Sequence, residues 1–135
     1  MEVLSSRILI RPRDLGVSHH FYREVLGLAV YREFGPPHGR GIVFFLGQGF
    51  LEVSGSPERL PDGDDGGRGR SAEIWLQVRD VQAEHRHLLD AGVTVIRSPR
   101  TEPWGLVEMW IEDPDGVRIV LVEVPADHPL RQDIR

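Results

Sequence analysis

Cysteine is absent from this chain, which excludes disulfides and thiol chemistry. Lysine is absent too: all 16 residues of the Lys+Arg total are Arg, so neither a Schiff base nor a P-loop lysine is available. No apolar run approaches the ~20 residues of a membrane span, and the N-terminus carries no apolar signal core. A cytoplasmic protein with no membrane partner is therefore expected. A basic footprint is also missing. The formal net charge of −5 argues against a nucleic-acid partner. None of the 6 histidines has another at i+4, the spacing of a helical metal pair. His19, His20, His38, His85, His87 and His128 are all expected to be solvated surface residues.

What is present suits one domain: 135 residues, 40% of them hydrophobic. The chain is organised around its last third. Asp113-Pro114-Asp115-Gly116 is a turn, because Pro114 presets φ and Gly116 permits φ > 0. Leu106–Glu112 and Val117–Val124 on either side are rich in β-branched and aromatic residues and read as a hairpin. Ile119 and Leu121 fall on one face of its second strand, and Arg118, Val120 and Val122 on the other.

Earlier in the chain, Leu4–Arg11 reads as a strand with Ile8 and Ile10 on one face and Arg7, Leu9 and Arg11 on the other. Asp14 is a plausible cap for a helix over Leu15–Leu26, and Gly27 its stop. Ala29–Phe34, Arg40–Gly47 and Phe50–Ser54 follow as strands, with a turn over Gly35–Gly39. Residues 55–71 hold five glycines and two prolines without periodicity and read as a linker. Within it, Asp62-Gly-Asp-Asp65 resembles only the opening of a calcium loop. The pattern then restarts: strand Ala72–Val78, cap Asp80, helix Val81–Ala91, stop Gly92, strand Val93–Ser98, loop Pro99–Gly105 and the hairpin. Both halves share the order strand–helix–strand–strand–strand, and such an internal repeat outweighs any single motif. The expected fold is α+β, one domain over residues 1–135. Its first module covers about 4–54, its linker 55–71, its second module about 72–124 and its tail 125–135.

Arg13-Asp14-Leu15, Phe21-Tyr22-Arg23-Glu24-Val25-Leu26-Gly27-Leu28, Trp104-Gly105 and Asp113-Pro114-Asp115-Gly116, in that order, resemble the vicinal oxygen chelate superfamily. That superfamily includes glyoxalase I, extradiol dioxygenases and bleomycin-resistance proteins. The resemblance implies two tandem βαβββ modules, each curling a sheet into half a cup, and a homodimer. It also implies metal-ligand positions on the first and last strands of each module, which here are Arg7, Glu52, Glu73 and Val120. Two carboxylates, an apolar residue and a permanent cation make a degenerate set, since a catalytic divalent ion needs about three ligands and Arg cannot lose its proton. No metal cofactor is expected. Arg7, Glu52 and Glu73 are expected to satisfy one another as a charged network.

Strand parity puts Phe50 on the face of Glu52, and Trp75 on the face of Glu73. Val120 joins them, with either Met109 or Trp110 according to whether the hairpin carries a bulge; Trp104 sits on a loop at the rim. Such a lining suits a planar, partly apolar small molecule. The expected function is metal-free binding that sequesters an aromatic antibiotic or natural product, in the manner of the bleomycin-resistance branch. The alternative is a lyase, isomerase or dioxygenase using a degenerate site for Zn, Ni, Mn or Fe, or using Glu52 and Glu73 directly as acid and base.

Overall fold

The computed structural model describes residues 2–35, 40–55 and 72–129. His38, most of the linker with its Asp62-Gly-Asp-Asp65 run, and the end of the tail lie outside the described residues. The chain divides into two units, Met1–Gly69 and Arg70–Arg135.

In the first unit, Asp14, still extended after β1 (Ile8–Ile10), caps α1 (Leu15–His20), its carboxylate accepting from the Val17 amide. The expected single helix to Leu26 is corrected: after His20 the chain makes one π-turn, Phe21–Val25, closed by the Leu26 amide donating to the Phe21 carbonyl at 2.8 Å. The wider turn lets two consecutive aromatics, Phe21 and Tyr22, both reach the core, at 7% and 1% exposure. Gly27, at φ 70°, then reverses the chain into β2 (Val30–Phe34), β3 (Arg40–Leu46) and β4 (Gly49–Gly55). The sheet order is β1-β4-β3-β2, with β1 parallel to β4 and the other pairs antiparallel. Tyr22 packs on Phe44 with ring centroids 6.2 Å apart, so the face with Ile42, Phe44, Leu51 and Val53 is the helix-covered core.

The second unit repeats this plan. Asp80 caps α2 (Val81–Asp90) through the Ala83 amide, and Gly92 at φ 79° ends the turn after it. The strands β5 (Ile74–Gln77), β6 (Val95–Thr101), β7 (Val107–Glu112) and β8 (Arg118–Glu123) form a sheet in the order β5-β8-β7-β6. Ile74, Val81, Leu88, Ile111, Ile119 and Leu121 are its buried core. The expectation of two tandem strand–helix–strand–strand–strand modules holds throughout. Boundaries are corrected: β1 covers only Ile8–Ile10 where a strand was expected over Leu4–Arg11, and β6 runs on through Pro99 to Thr101, where a loop was expected from Pro99. Proline is tolerated there because β6 is the edge strand and its pairing with β7 shifts between Arg97 and Arg100.

Candidate functional site

The face of the first sheet turned from the helix is set by register. Leu9 pairs with Glu52, Glu52 with Val43, and Val43 with Arg32, forming one row across all four strands. Glu52 is buried (8% exposed) and accepts from Arg7 at 2.8 Å, from Arg11 at 3.4 Å and from the Ser54 hydroxyl at 2.7 Å. Arg11 also donates to Ser54. The Ser54 hydroxyl, then Arg7 and Arg11, lower the Glu52 pKa below the ordinary carboxylate value, against the opposing effect of burial. Beside this network, Phe50 pairs with Phe45, and Tyr31 reaches both rings at 4.8 and 5.2 Å. Tyr31 and Phe45 stay half exposed, so the three rings form an open ledge. Arg32 stands over the Phe34 ring at 5.3 Å. Parity alone put Arg11 on this face without giving it a role. Tyr31, Phe45 and Arg32 needed the cross-strand register.

In the second unit the equivalent row is Trp75, Val120, Trp110 and Arg97. Val120 stands at the place of Glu52, and Glu73 precedes Trp75 as Arg7 precedes Leu9. Here the surroundings are opposite in kind. Val120 is buried in an apolar cluster with Leu106, Val122 and Val124, against which Trp110 packs. Guanidiniums lie on the Trp110 ring, Arg97 at 3.6 Å and Arg118 at 4.7 Å from its centroid. Trp110 Nε1, Arg97 Nε and Arg118 Nε have no hydrogen-bond partner among the described residues. The buried Glu102 accepts from Arg97 and, at 3.3 Å, from Arg100. Burial, then the neighbouring Arg100, lowers the Arg97 pKa. Trp104 is exposed on its loop and donates to the buried Glu108 at 2.9 Å. Trp75 is half exposed.

One open choice is settled here. Met109 pairs with Leu121 and is fully buried, so it belongs to the helix-covered core, and Trp110, paired with Val120, takes the open face. Glu73 is half exposed, and its ion-pair partner is Arg118 of its own unit, at 3.6 Å. Glu52 draws its second cation from Arg11. The histidines depart from expectation at two places: His19 Nε2 bonds the Val53 carbonyl at 2.8 Å, and His128 Nε2 the Trp104 carbonyl at 2.9 Å. A cavity of about 380 Å³ on the helix side of the first unit is lined by His19, Arg23, Glu33 and Ile42. Its charged groups already pair, Arg23 with Glu33 at 3.0 Å.

The four positions that the resemblance marks do not fit a divalent ion. Arg7 and Val120 offer no lone pair, and the Glu52 oxygens are occupied by two guanidiniums and a hydroxyl. A guanidinium held this close to a carboxylate would repel a divalent ion entering beside it. Among the described residues, no three His, Cys, Asp or Glu side chains gather into a set that could hold a metal. No described helix is long and apolar enough to cross a membrane.

Comparison with known proteins agrees with the fold. Residues 5–121 match the family model described as "Glyoxalase/Bleomycin resistance protein/Dioxygenase superfamily". A Synechocystis protein described as a "Probable lactoylglutathione lyase" is 32% identical over 123 residues, covering 87% of this chain and 93% of its own. A solved structure from Sphaerobacter thermophilus, a member of the same superfamily, superposes with a TM-score of 0.61 at 27% identity, over 91% of this chain and 97% of that one. TioX from Micromonospora sp. superposes with a TM-score of 0.69 over 90% of this chain and 98% of that one; at 18% identity it shares the fold.

Proposed function

The chain belongs to the glyoxalase/bleomycin resistance protein/dioxygenase superfamily, and from that premise we propose that it is a metal-free, homodimeric binding protein that sequesters an aromatic small molecule such as an antibiotic or natural product. The observation that carries this reading is the Arg7 guanidinium 2.8 Å from Glu52, a cation seated where the superfamily resemblance calls for a ligand. The open aromatic surfaces support it, with Phe50, Tyr31 and Phe45 in one unit and the half-exposed Trp75 in the other, while Trp110 in the neighbouring row is covered by Arg97 and Arg118. Trp104 lies on an exposed loop and Val120 gives its face apolar character.

The identity to a probable lactoylglutathione lyase favours a second reading, an enzyme using Zn, Ni, Mn or Fe, or Glu52 and Glu73 as acid and base. A carboxylate whose pKa is lowered by Ser54, Arg7 and Arg11 is a weak base at neutral pH.

Metal analysis and melting separate the two. Protein purified without chelator should carry no stoichiometric metal, and its melting temperature should be the same with Zn²⁺, Ni²⁺, Mn²⁺ or chelator. Arg7→His removes the cation and places an imidazole beside Glu52; without metal it should be less stable by about 1–3 kcal/mol. Added Zn²⁺ should return part of that loss by mass action. Stoichiometric metal in the parent protein, or a parent melting several degrees higher with metal, would overturn the binding-protein reading.

A further inference from the structure

Among the described residues, the first unit's face with Glu52 holds three guanidiniums against one carboxylate. Arg7, Leu9 and Arg11 alternate along β1 on the side of Glu52, and Arg32 closes the same row from β2. Glu33 lies on the opposite side, paired in register with Ile42. This surplus of positive charge stands in a chain whose formal charge is −5, so it is a local feature. Glu52 answers Arg7 and Arg11 together, whereas Arg32 is exposed with no ion-pair partner among the described residues. The ledge of Tyr31, Phe45 and Phe50 lies on β2, β3 and β4, with Arg7 leading into the strand beside Phe50 and Arg32 following Tyr31. Strands stand about 4.8 Å apart, so the ledge across β2, β3 and β4 offers roughly 10 Å, enough for two fused rings.

We infer that the ligand of this face is a planar aromatic anion, its rings on the Tyr31–Phe45–Phe50 ledge and its acid group accepting from Arg32. The inference rests on reading the face as a small-molecule site and adds the charge of the molecule. Ring stacking is tolerant of ring chemistry, whereas a guanidinium discriminates by charge. Aromatic faces also attract cations, but over Phe34 that role is already filled by Arg32 itself, which would repel a cationic ligand. A carboxylate, sulfonate or phosphate on the ring system exchanges that repulsion for charge-assisted hydrogen bonds.

Three probes of one shape and three charges test it: 2-naphthoate, 2-naphthamide and 2-naphthylmethylammonium, each titrated by calorimetry into the full chain. The acid should bind about tenfold tighter than the amide, with the ammonium weakest, since hydrogen bonds between ionised partners are roughly twice as strong as neutral ones. Arg32→Gln, at an exposed position, should bring the acid down to about the amide's affinity and lower the amide's own affinity far less. Equal or tighter binding of the amide or ammonium would overturn the anionic preference while leaving the binding reading intact. Failure of all three to bind at millimolar concentration would remove both. Light scattering supplies the remaining arm: a dimer that dissociates on Phe45→Ser would place a second copy of the chain on the ledge, and the inference would fall.

Discussion

Glu52 is a carboxylate that cannot be exchanged for its amide without consequence. Two cations and a hydroxyl converge on it, and its pKa is lowered first by the Ser54 bond and then by Arg7 and Arg11. In the unfolded chain the same group takes up its proton near the ordinary value of about 4.3. As pH falls, the unfolded chain therefore binds that proton before the folded one does. The stability Glu52 contributes is whole above that range and is lost as pH falls through the lowered folded value. Glu52→Gln should cost about 1–2 kcal/mol at neutral pH, the lower range for such a loss because exposed cations are screened. The gap between the two proteins should close in acid. Thermal melts from neutral pH to pH ~3 check this, because a gap that stays constant would mean the carboxylate is not held ionised by its neighbours. At this scale the sequence was partly legible. Arg7 and Glu52 follow from two short parity arguments, but the Arg97–Trp110–Arg118 stack does not. It depends on which residue of β6 faces which of β7, and that register shifts twice between Val95 and Arg100.

Helix caps, glycine stops and hairpin turn were readable because each acts within a few residues of itself. Asp14 and Asp80 both accept from the amide three residues on, and Gly27 and Gly92 both adopt positive φ. Two features needed tertiary information. The π-turn at Phe21–Val25 exists because two adjacent aromatics share one core, and β6 passes through Pro99 because it lies at the sheet's edge. The choice between Met109 and Trp110 turned on whether the β7–β8 hairpin carries a bulge. It carries none: the ladder runs unbroken from Val107 opposite Glu123 to Glu112 opposite Arg118. Parity taken from Leu121 therefore fixes Met109 under the helix. Met109→Ala should then cost about 2–5 kcal/mol in denaturant unfolding, as core truncations do, without changing the affinity of a ligand bound to the open face. A loss of ligand affinity at unchanged stability would return Met109 to the site.

The molecule as a whole is a repeat whose halves have diverged in opposite directions at one pair of equivalent positions. Glu52 is ringed by cations in the first half, and Val120 is buried among aliphatics in the second. Neither half presents a ligand-like pair at these positions, so the proposed absence of metal binding rests on both halves rather than on a single residue. The expected homodimer belongs to this scale. Strand β1 is short and stands at the end of its sheet, with β4 as its hydrogen-bonded neighbour. Within the chain it leaves Ile8 45% and Leu9 49% exposed, on opposite faces of the same strand. An edge strand carrying apolar side chains on both faces is a template for another chain unless something covers it. A second copy with closed two-fold symmetry is the simplest cover. Light scattering at micromolar concentration should therefore report about twice the chain mass of 15.3 kDa. Ile8→Glu places a charge at the centre of the proposed contact and should shift the protein toward monomer while its circular dichroism stays unchanged. A parent protein that is monomeric at that concentration would refute the dimer, and an Ile8→Glu variant that remains fully dimeric would move the interface away from β1.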